Sequence, residues 1–326
     1  MKAIRIHRYG GPEVLTREEL PMPAPKAGEV LVKVDAAGVN FADIARRRNA
    51  YLEPTPLPYV LGVEVAGSAV ERGEGVTSVV EGDYVVGFTK GGCGGYAEYA
   101  IVPEHAIFRV PPGLNTITAA ALPVQGLSAW HVLRTSGQLK PGETVLVHAA
   151  AGGVGTFAVQ LAKAFGARRV IGTASTPEKL RMVRSLGADA AIDYTATDWT
   201  EQVLAANEGR GVDVILEMVG GQVFKDNFKC LATFGRVVVY GAASGEYAPV
   251  RGVDLMKKCQ SVVGFYLLPA LARTDLSRFA LNDLVEQVTS GRVNVRVDHM
   301  IPLAEAEKAH RLLELRQTTG KVVLMP

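Results

Sequence analysis

The segment Thr144-Val145-Leu146-Val147-His148-Ala149-Ala150-Ala151-Gly152-Gly153-Val154-Gly155 contains residues suited to holding phosphate. An apolar strand runs into a glycine turn and the turn into a helix. Backbone N–H groups and the positive end of a helix dipole therefore converge where a dinucleotide pyrophosphate binds. Gly152 and Gly155 allow close approach of backbone to ligand and strand. The same glycines could serve only to close a tight strand-to-helix turn. That the helix is packed is predicted by its apolar face of Val154, Phe157, Ala158, Leu161, Ala162 and Phe165, which ends at Gly166.

The choice between NADH and NADPH falls at the end of the next strand, where an acid normally binds the ribose 2′-hydroxyl about 20 residues past the turn. Here Val170-Ile171-Gly172-Thr173-Ala174-Ser175 places Ala174 at that position, with Ser175 and Lys179 beyond it. Nothing in the segment repels a 2′-phosphate, and a hydrogen bond to a charged group contributes about 1.5–3 kcal/mol. NADPH is the expected cofactor. With Ser175 as a helix cap and Lys179 as a solvated side chain, the preference would stay open.

The elements that must position these residues alternate. Strand Arg169–Thr173, helix Pro177–Leu186, strand Ala190–Tyr194, helix Asp198–Asn207 and strand Asp213–Met218 follow the turn. A helix over Val223–Leu231 and the strands Arg236–Tyr240 and Ser261–Leu267 continue the series. This order predicts an α/β, doubly wound parallel sheet. Thr176 and Pro177 read as N-cap and first helical residue, and Gly187 as a stop. Ligands bind such sheets at the carboxyl edge, which selects Met218-Val219-Gly220, Tyr240-Gly241 and Phe265-Tyr266-Leu267 as cofactor-binding loops. The first 120 or so residues differ. Short strands Val30–Val34, Val63–Val70, Asp83–Phe88 and Tyr96–Val102, punctuated by Gly and Pro, predict a small β-rich domain of partial-barrel character. Substrate is expected between the two domains.

The 326 residues, 48% hydrophobic and 21% charged, suit a globular two-domain protein. A net charge of +2 is too small to predict nucleic-acid binding, and Arg46-Arg47-Arg48 reads as a solvated helix face. No apolar run is long enough to span a membrane, and the strand-like start Met1–Arg8 lacks a secretion signal, so the expected residence is cytoplasmic.

The chain is similar from end to end to the zinc-independent quinone oxidoreductases of the medium-chain dehydrogenase/reductase superfamily, the group that includes zeta-crystallin. The likeness is carried by Gly38-Val39-Asn40-Phe41-Ala42-Asp43, Gly62-Val63-Glu64-Val65-Ala66-Gly67, Gly95-Tyr96-Ala97-Glu98-Tyr99, the turn at Gly152–Gly155 and Gly320-Lys321-Val322-Val323. It implies a GroES-like catalytic domain at residues 1–123, a Rossmann NADPH-binding domain at 124–265 inserted into it, and a return to the catalytic domain at 266–326. It also implies a homodimer, with Ser261–Leu267 a candidate sheet edge. A covered central strand is the other reading of that segment.

The resemblance places Asn40 near the nicotinamide and the substrate oxygen, with Asp43, Tyr51 and Gln125 in the same catalytic environment. Ala151, Gly152, Gly153 and Val154 would meet the pyrophosphate, Ser128 would stand at the nicotinamide half, and Ser175, Lys179, Tyr194 and Arg316 around the adenosine phosphate. Asn40 and Asp43 suit equally the capping of a short helix starting near Phe41, and both roles can hold together. Where a family tyrosine often follows, this chain has Ala45. Trp130 stands at an aromatic position and reads as packing. Zinc-dependent relatives carry a Cys and a His-Glu pair where this chain has Asn40 and Val63-Glu64, and the later Cys is missing from Leu122–Leu127. No metal site is expected. Cys93, Cys230 and Cys259 read as reduced thiols, Cys230 in the core.

Without a metal Lewis acid, electron-poor acceptors are favoured over simple ketones. The implied activity is NADPH-dependent quinone reduction, with an NADPH-dependent enone or alkenal double-bond reductase as the alternative. An RNA-binding or structural crystallin-like role is the alternative of another class. The expected partners are a small quinone or enone and a second copy of the chain, without membrane or nucleic acid.

Overall fold

The computed structural model describes residues 1–247 and 249–326. Strands are β1 Lys2–Ile6, β2 Thr16–Glu19, β3 Glu29–Val39, β4 Tyr59–Val60, β5 Glu64–Arg72, β6 Tyr84–Phe88, β7 Tyr99–Pro103 and β8 Ile107–Arg109, with helices α1 Phe41–Arg47 and α2 Thr116–Ala119 among them. Then come α3 Leu127–His131, β9 Thr144–Val147, α4 Gly153–Ala164, β10 Arg169–Ala174, α5 Pro177–Ser185, β11 Ala190–Asp193, α6 Trp199–Ala206, β12 Val212–Glu217, α7 Gly221–Cys230 and β13 Leu231–Val239. The series ends with α8 Gly252–Met256, β14 Ser261–Gly264, α9 Leu267–Leu271, α10 Thr274–Thr289, β15 Val297–Pro302, α11 Ala306–Glu314 and β16 Lys321–Met325.

These elements form two compact units, Met1–Val124 with Arg296–Pro326, and Gln125–Val295. The chain rejoins the first unit at Arg296, later than the 266 expected from the resemblance. The cause is α10, which buries Leu281, Leu284 and Val288 in the second unit and accepts the Trp130 indole N–H on Asp283 Oδ2 at 2.7 Å. An amphipathic helix carries no local mark of the core that it will cover.

In the first unit β3 is the spine of a sheet ordered β15-β16-β3-β5-β6-β8, with β7 also on β3. Val30, Val32 and Val34 enter the main core, and so do Ala37 and Val39, while Ala36 belongs to a second cluster with Ala66, Val86, Ala119 and Val323. The parity of inward residues changes at Asp35, where the β3–β5 register shifts between Val34 and Ala36. One extra residue re-aims the rest of the strand. Gly67 makes the bulge possible, since a Cβ there would stand 1.9 Å from the Lys33 carbonyl oxygen. The bulge extends β3 past the Val34 limit expected from alternation and delivers Asn40 at its end.

The second unit is the doubly wound sheet predicted from sequence, ordered β11-β10-β9-β12-β13-β14 and parallel throughout. Leu146, Ile171, Ile215 and Val237 line its core with Trp199 and Phe224. Strand order reverses between β9 and β12, which makes the carboxyl end of β9 the topological switch point. Thr176 is the cap of α5, accepting the Lys179 N–H at 3.3 Å, with Pro177 next to it. Ser175 is not that cap. Among the described residues β14 is the outer strand on its side of the sheet, and it is not a covered central strand.

Candidate functional site

The glycine turn leaves β9 through His148 and Ala149, the latter held at φ 48° although it is not glycine. The Gly152 N–H closes the turn on the Ala149 carbonyl at 2.8 Å, and the Ala150 N–H reaches the Thr173 carbonyl of β10 at 2.9 Å. Gly155 is needed for the turn itself, because a Cβ would lie 2.3 Å from the Ala149 oxygen. Gly153 is different. Its Cα face is covered by the Gln125 carboxamide, which a Cβ would meet at 2.1 Å. Gln125 is buried, and its Oε1 has no hydrogen-bond partner. At Gly152 a Cβ would stand 3.2 Å from the Ala149 carbonyl oxygen, a tight contact but milder than those at Gly153 and Gly155. The turn thus sets the free amides at the start of a twelve-residue helix beside a buried acceptor, an arrangement able to meet both a phosphate and a donor.

Ser128 on α3 and Ala151 in the turn are buried in this unit. Ser175 follows β10 and Tyr194 follows β11, where the Tyr194 N–H bonds the Ala174 carbonyl at 3.3 Å, and Lys179 lies in the first turn of α5. The neighbouring carboxylate, Asp193, is turned into Thr195 N–H and hydroxyl at 2.9 and 2.7 Å. Met218, Tyr240, Gly241 and Phe265 lie at the same edge: Ala243 N–H donates to the Met218 carbonyl at 2.8 Å and Phe265 N–H to the Val239 carbonyl at 2.8 Å. Tyr266 and Leu267 follow directly.

Sequence reading passed over the acid that shapes this edge. Glu217, fully buried, accepts the Val219 and Gly220 N–H groups and the Asn227 amide. Asn227 Oδ1 then accepts from His148 Nε2 at 2.7 Å, and His148 Nδ1 accepts the Thr173 hydroxyl at 2.9 Å. The available signal was a carboxylate in the apolar run Val214–Val219. His131, also buried, is held near a pKa of about 4 by desolvation and stacks on Phe265. Trp130 packs edge-to-face on Phe165 and Phe279, the packing role expected.

In the first unit Asn40 ends β3 and caps α1. Its backbone N–H donates to Asp43 Oδ2 at 2.8 Å, the capping arrangement expected of the pair. The side chain is engaged separately: Lys321 Nζ donates to Asn40 Oδ1 at 2.9 Å, and Asn40 Nδ2 donates to Glu64 Oε1 at 2.7 Å. Lys321 and Glu64 also pair directly, and Glu64 Oε2 accepts the Val124 N–H at 2.7 Å. Among the described residues no three His, Cys, Asp or Glu side chains are placed to hold a metal ion.

Asp43 accepts three donors, Asn40 N–H, Tyr96 O–H at 3.1 Å and Gly62 N–H at 3.3 Å. Burial pushes its carboxyl up to about 6, against the pull of those bonds and of Lys321. Tyr96 in turn faces His310 Nε2 at 3.2 Å, and Arg47 Nη1 faces His310 Nδ1 at 3.2 Å. A guanidinium can only donate, so Nδ1 accepts and the ring proton sits on Nε2. Burial first and Arg47 second hold His310 down at about 3, so it stays neutral.

Arg47 therefore overturns the solvated-face reading of Arg46-Arg47-Arg48. It is fully buried, bonded to His310, to the Gly10 carbonyl at 3.1 Å and to Glu314. Arg46 is buried too, its guanidinium 4.2 Å from the centre of the half-buried Tyr51 ring. Arg48 is exposed. Charge type suggests a surface, and partners distant in the chain decide otherwise. Arg316, at φ 56° after α11, is exposed.

Two family models match the chain in tandem, an alcohol dehydrogenase GroES-like domain over residues 26–112 and a zinc-binding dehydrogenase over residues 153–283. Together with the two units they define a medium-chain dehydrogenase/reductase. The quinone oxidoreductase of Pseudomonas aeruginosa is 38% identical over all of this chain and 99% of its own length. A 2-haloacrylate reductase of a Burkholderia species is 35% identical over 98% of each chain. The crystal structure of Escherichia coli quinone oxidoreductase complexed with NADPH superposes with a TM-score of 0.94 at 33% identity, covering 100% of both chains. The chain belongs to the quinone oxidoreductase family of the medium-chain dehydrogenase/reductase superfamily.

Proposed function

We propose that this protein is an NADPH-dependent quinone oxidoreductase. The observation that carries this reading is the end-to-end similarity to quinone oxidoreductases, one of them solved with NADPH. Residues of this chain fit the cofactor: Ala151–Val154 at the pyrophosphate, Gln125 and Ser128 toward the nicotinamide half, and Ser175, Lys179, Tyr194 and Arg316 at the 2′-phosphate. The carboxyl-edge loops at Met218, Tyr240–Gly241 and Phe265–Leu267 complete that set. Bound NADPH supplies a hydride.

Reduction of a quinone adds negative charge at one oxygen. Asn40 is the proposed donor to that oxygen through Nδ2, preorganised at a cost met in folding. Asp43 does not touch substrate in this reading: it anchors the Asn40 backbone. Tyr51, with Arg46 over its ring, offers a fixed aromatic face to a flat acceptor. Double-bond reduction is the second reading, supported by the 2-haloacrylate reductase among the relatives. Among the described residues no helix is long and apolar enough to cross a membrane. Cytoplasmic residence and homodimerisation along β14 complete the proposal. RNA binding is disfavoured by the net charge of +2.

Calorimetry with NADPH and NADH, with and without Lys179→Ala, tests the cofactor. Turnover of 1,4-benzoquinone, 9,10-phenanthrenequinone and an enone tests the acceptor. NADPH is expected to bind at least about tenfold more tightly, Lys179→Ala to erase most of that difference, and the quinones to turn over. With enone turnover alone the second reading replaces the first, and with neither nucleotide bound both fail.

A further inference from the structure

We propose that Lys321, together with Glu64, is a positioning residue that fixes the Asn40 carboxamide in one of its two flip states, leaving one Nδ2 proton for the acceptor oxygen. The inference rests on Asn40 being the substrate-oxygen donor proposed above.

Three neighbouring strands build the arrangement. β16 and β3 pair with Val322 opposite Val39, which brings Lys321 beside Asn40, and β3 and β5 pair with Ala37 opposite Val65, which brings up Glu64. Gly38 leaves room for the acid, because a Cβ there would stand 2.4 Å from Glu64 Oε1. Lys321 and Glu64 are both 0% exposed, and Asn40 is 4% exposed.

An ammonium only donates and a carboxylate only accepts. With Lys321 on Asn40 Oδ1 and Glu64 on Asn40 Nδ2, the observed amide orientation satisfies both. The flipped amide would set its oxygen against the carboxylate and its NH2 against the ammonium. Glu64 cannot turn to accommodate that flip without giving up Val124 N–H on its other oxygen. One Nδ2 proton is spent on Glu64. The other has only Gly38 O at 3.5 Å, longer than the usual 2.7–3.2 Å for such a bond.

A buried ion pair is a weak source of stability compared with well-packed apolar residues of the same volume. The apolar environment of Val39, Val65 and Val322 would accept such residues. What charges add, and packing cannot, is a direction imposed on an amide.

The test compares wild type, Lys321→Met, Asn40→Ala and the combination of the two. Melting temperature, NADPH affinity by calorimetry, and kcat and KM for 1,4-benzoquinone are measured on each. Lys321→Met is expected to lower kcat by about 10- to 100-fold, part of what a whole oxyanion donor contributes, with NADPH affinity within about twofold. Adding Asn40→Ala to it should cost little more, since both changes remove one function.

If Lys321→Met does not fold, Lys321→Met/Glu64→Gln removes both charges, and the carboxamide introduced on β5 can then face that of Asn40 in either flip state. The same fall in kcat is expected of that folded pair, and wild-type kcat in it overturns the proposal. So does wild-type kcat in folded Lys321→Met, or losses that multiply with Asn40→Ala. Wild-type kcat in Asn40→Ala alone removes the donor reading itself, which separates the two failures.

Discussion

Asp43 is a carboxyl surrounded by donors. Protonating it leaves Asn40 N–H, Tyr96 O–H and Gly62 N–H on a weaker acceptor, yet burial raises its pKa from 3.8 to about 6. In the folded protein it takes up its proton at higher pH than in the unfolded chain. Its contribution therefore favours the fold below about pH 4 and is lost as pH rises through about 6, a change of about 3 kcal/mol. Half-buried acids such as Glu29 and Glu104, lowered by their hydrogen bonds, slope the other way. Urea denaturation from pH 4 to 7 should show the stability of wild type relative to Asp43→Asn falling across that window. A flat difference would mean that the three donors, not burial, set this carboxyl. At this scale the sequence marked Asn40 and Asp43 by their suitability for a cap, and α1 begins there. It could not mark Tyr96, His310 and Arg47, whose roles exist only through one another.

The glycine turn shows how an element divides its work. Gly155→Ala drives a Cβ to within 2.3 Å of backbone oxygen, so the helix itself must shift. A loss of about 1–3 kcal/mol is expected, read as a lowered melting temperature. For Gly153→Ala the nearest obstacle is the Gln125 side chain. There the melting temperature should hold within a few degrees while NADPH affinity falls about tenfold by calorimetry. Equal destabilisation by both changes would mean that Gly153, like Gly155, serves to close the turn. The alternation of strand and helix after the turn was legible because each element's period is local. The β3 bulge was not, because Asp35 gives no sign of the register it will take against β5.

For the whole molecule the open question is assembly. β14 is the outer strand of the second unit's sheet among the described residues, with Gly264 exposed. Phe265 N–H bonds to Val239 across the ladder, so by alternation the Gly264 N–H points away from β13. Gly264→Pro removes that outward donor while sparing the ladder. Light scattering should show a dimer for wild type and a monomer for the variant, with NADPH affinity retained. A variant that remains dimeric would remove β14 as the seam.

The sequence by itself determined what local periodicity and short motifs encode. It contained the parallel α/β alternation, the glycine turn, the missing acid after β10 and the likeness to quinone oxidoreductases. Tertiary structure decided which charges are buried and what they hold. Lys321 lies 281 residues from Asn40 and 257 from Glu64 along the chain, and Arg47 lies 263 from His310. An ionised side chain is stable in an interior only beside its partner. Strand register and helix packing bring those partners together, and neither is written in the few residues around each charge.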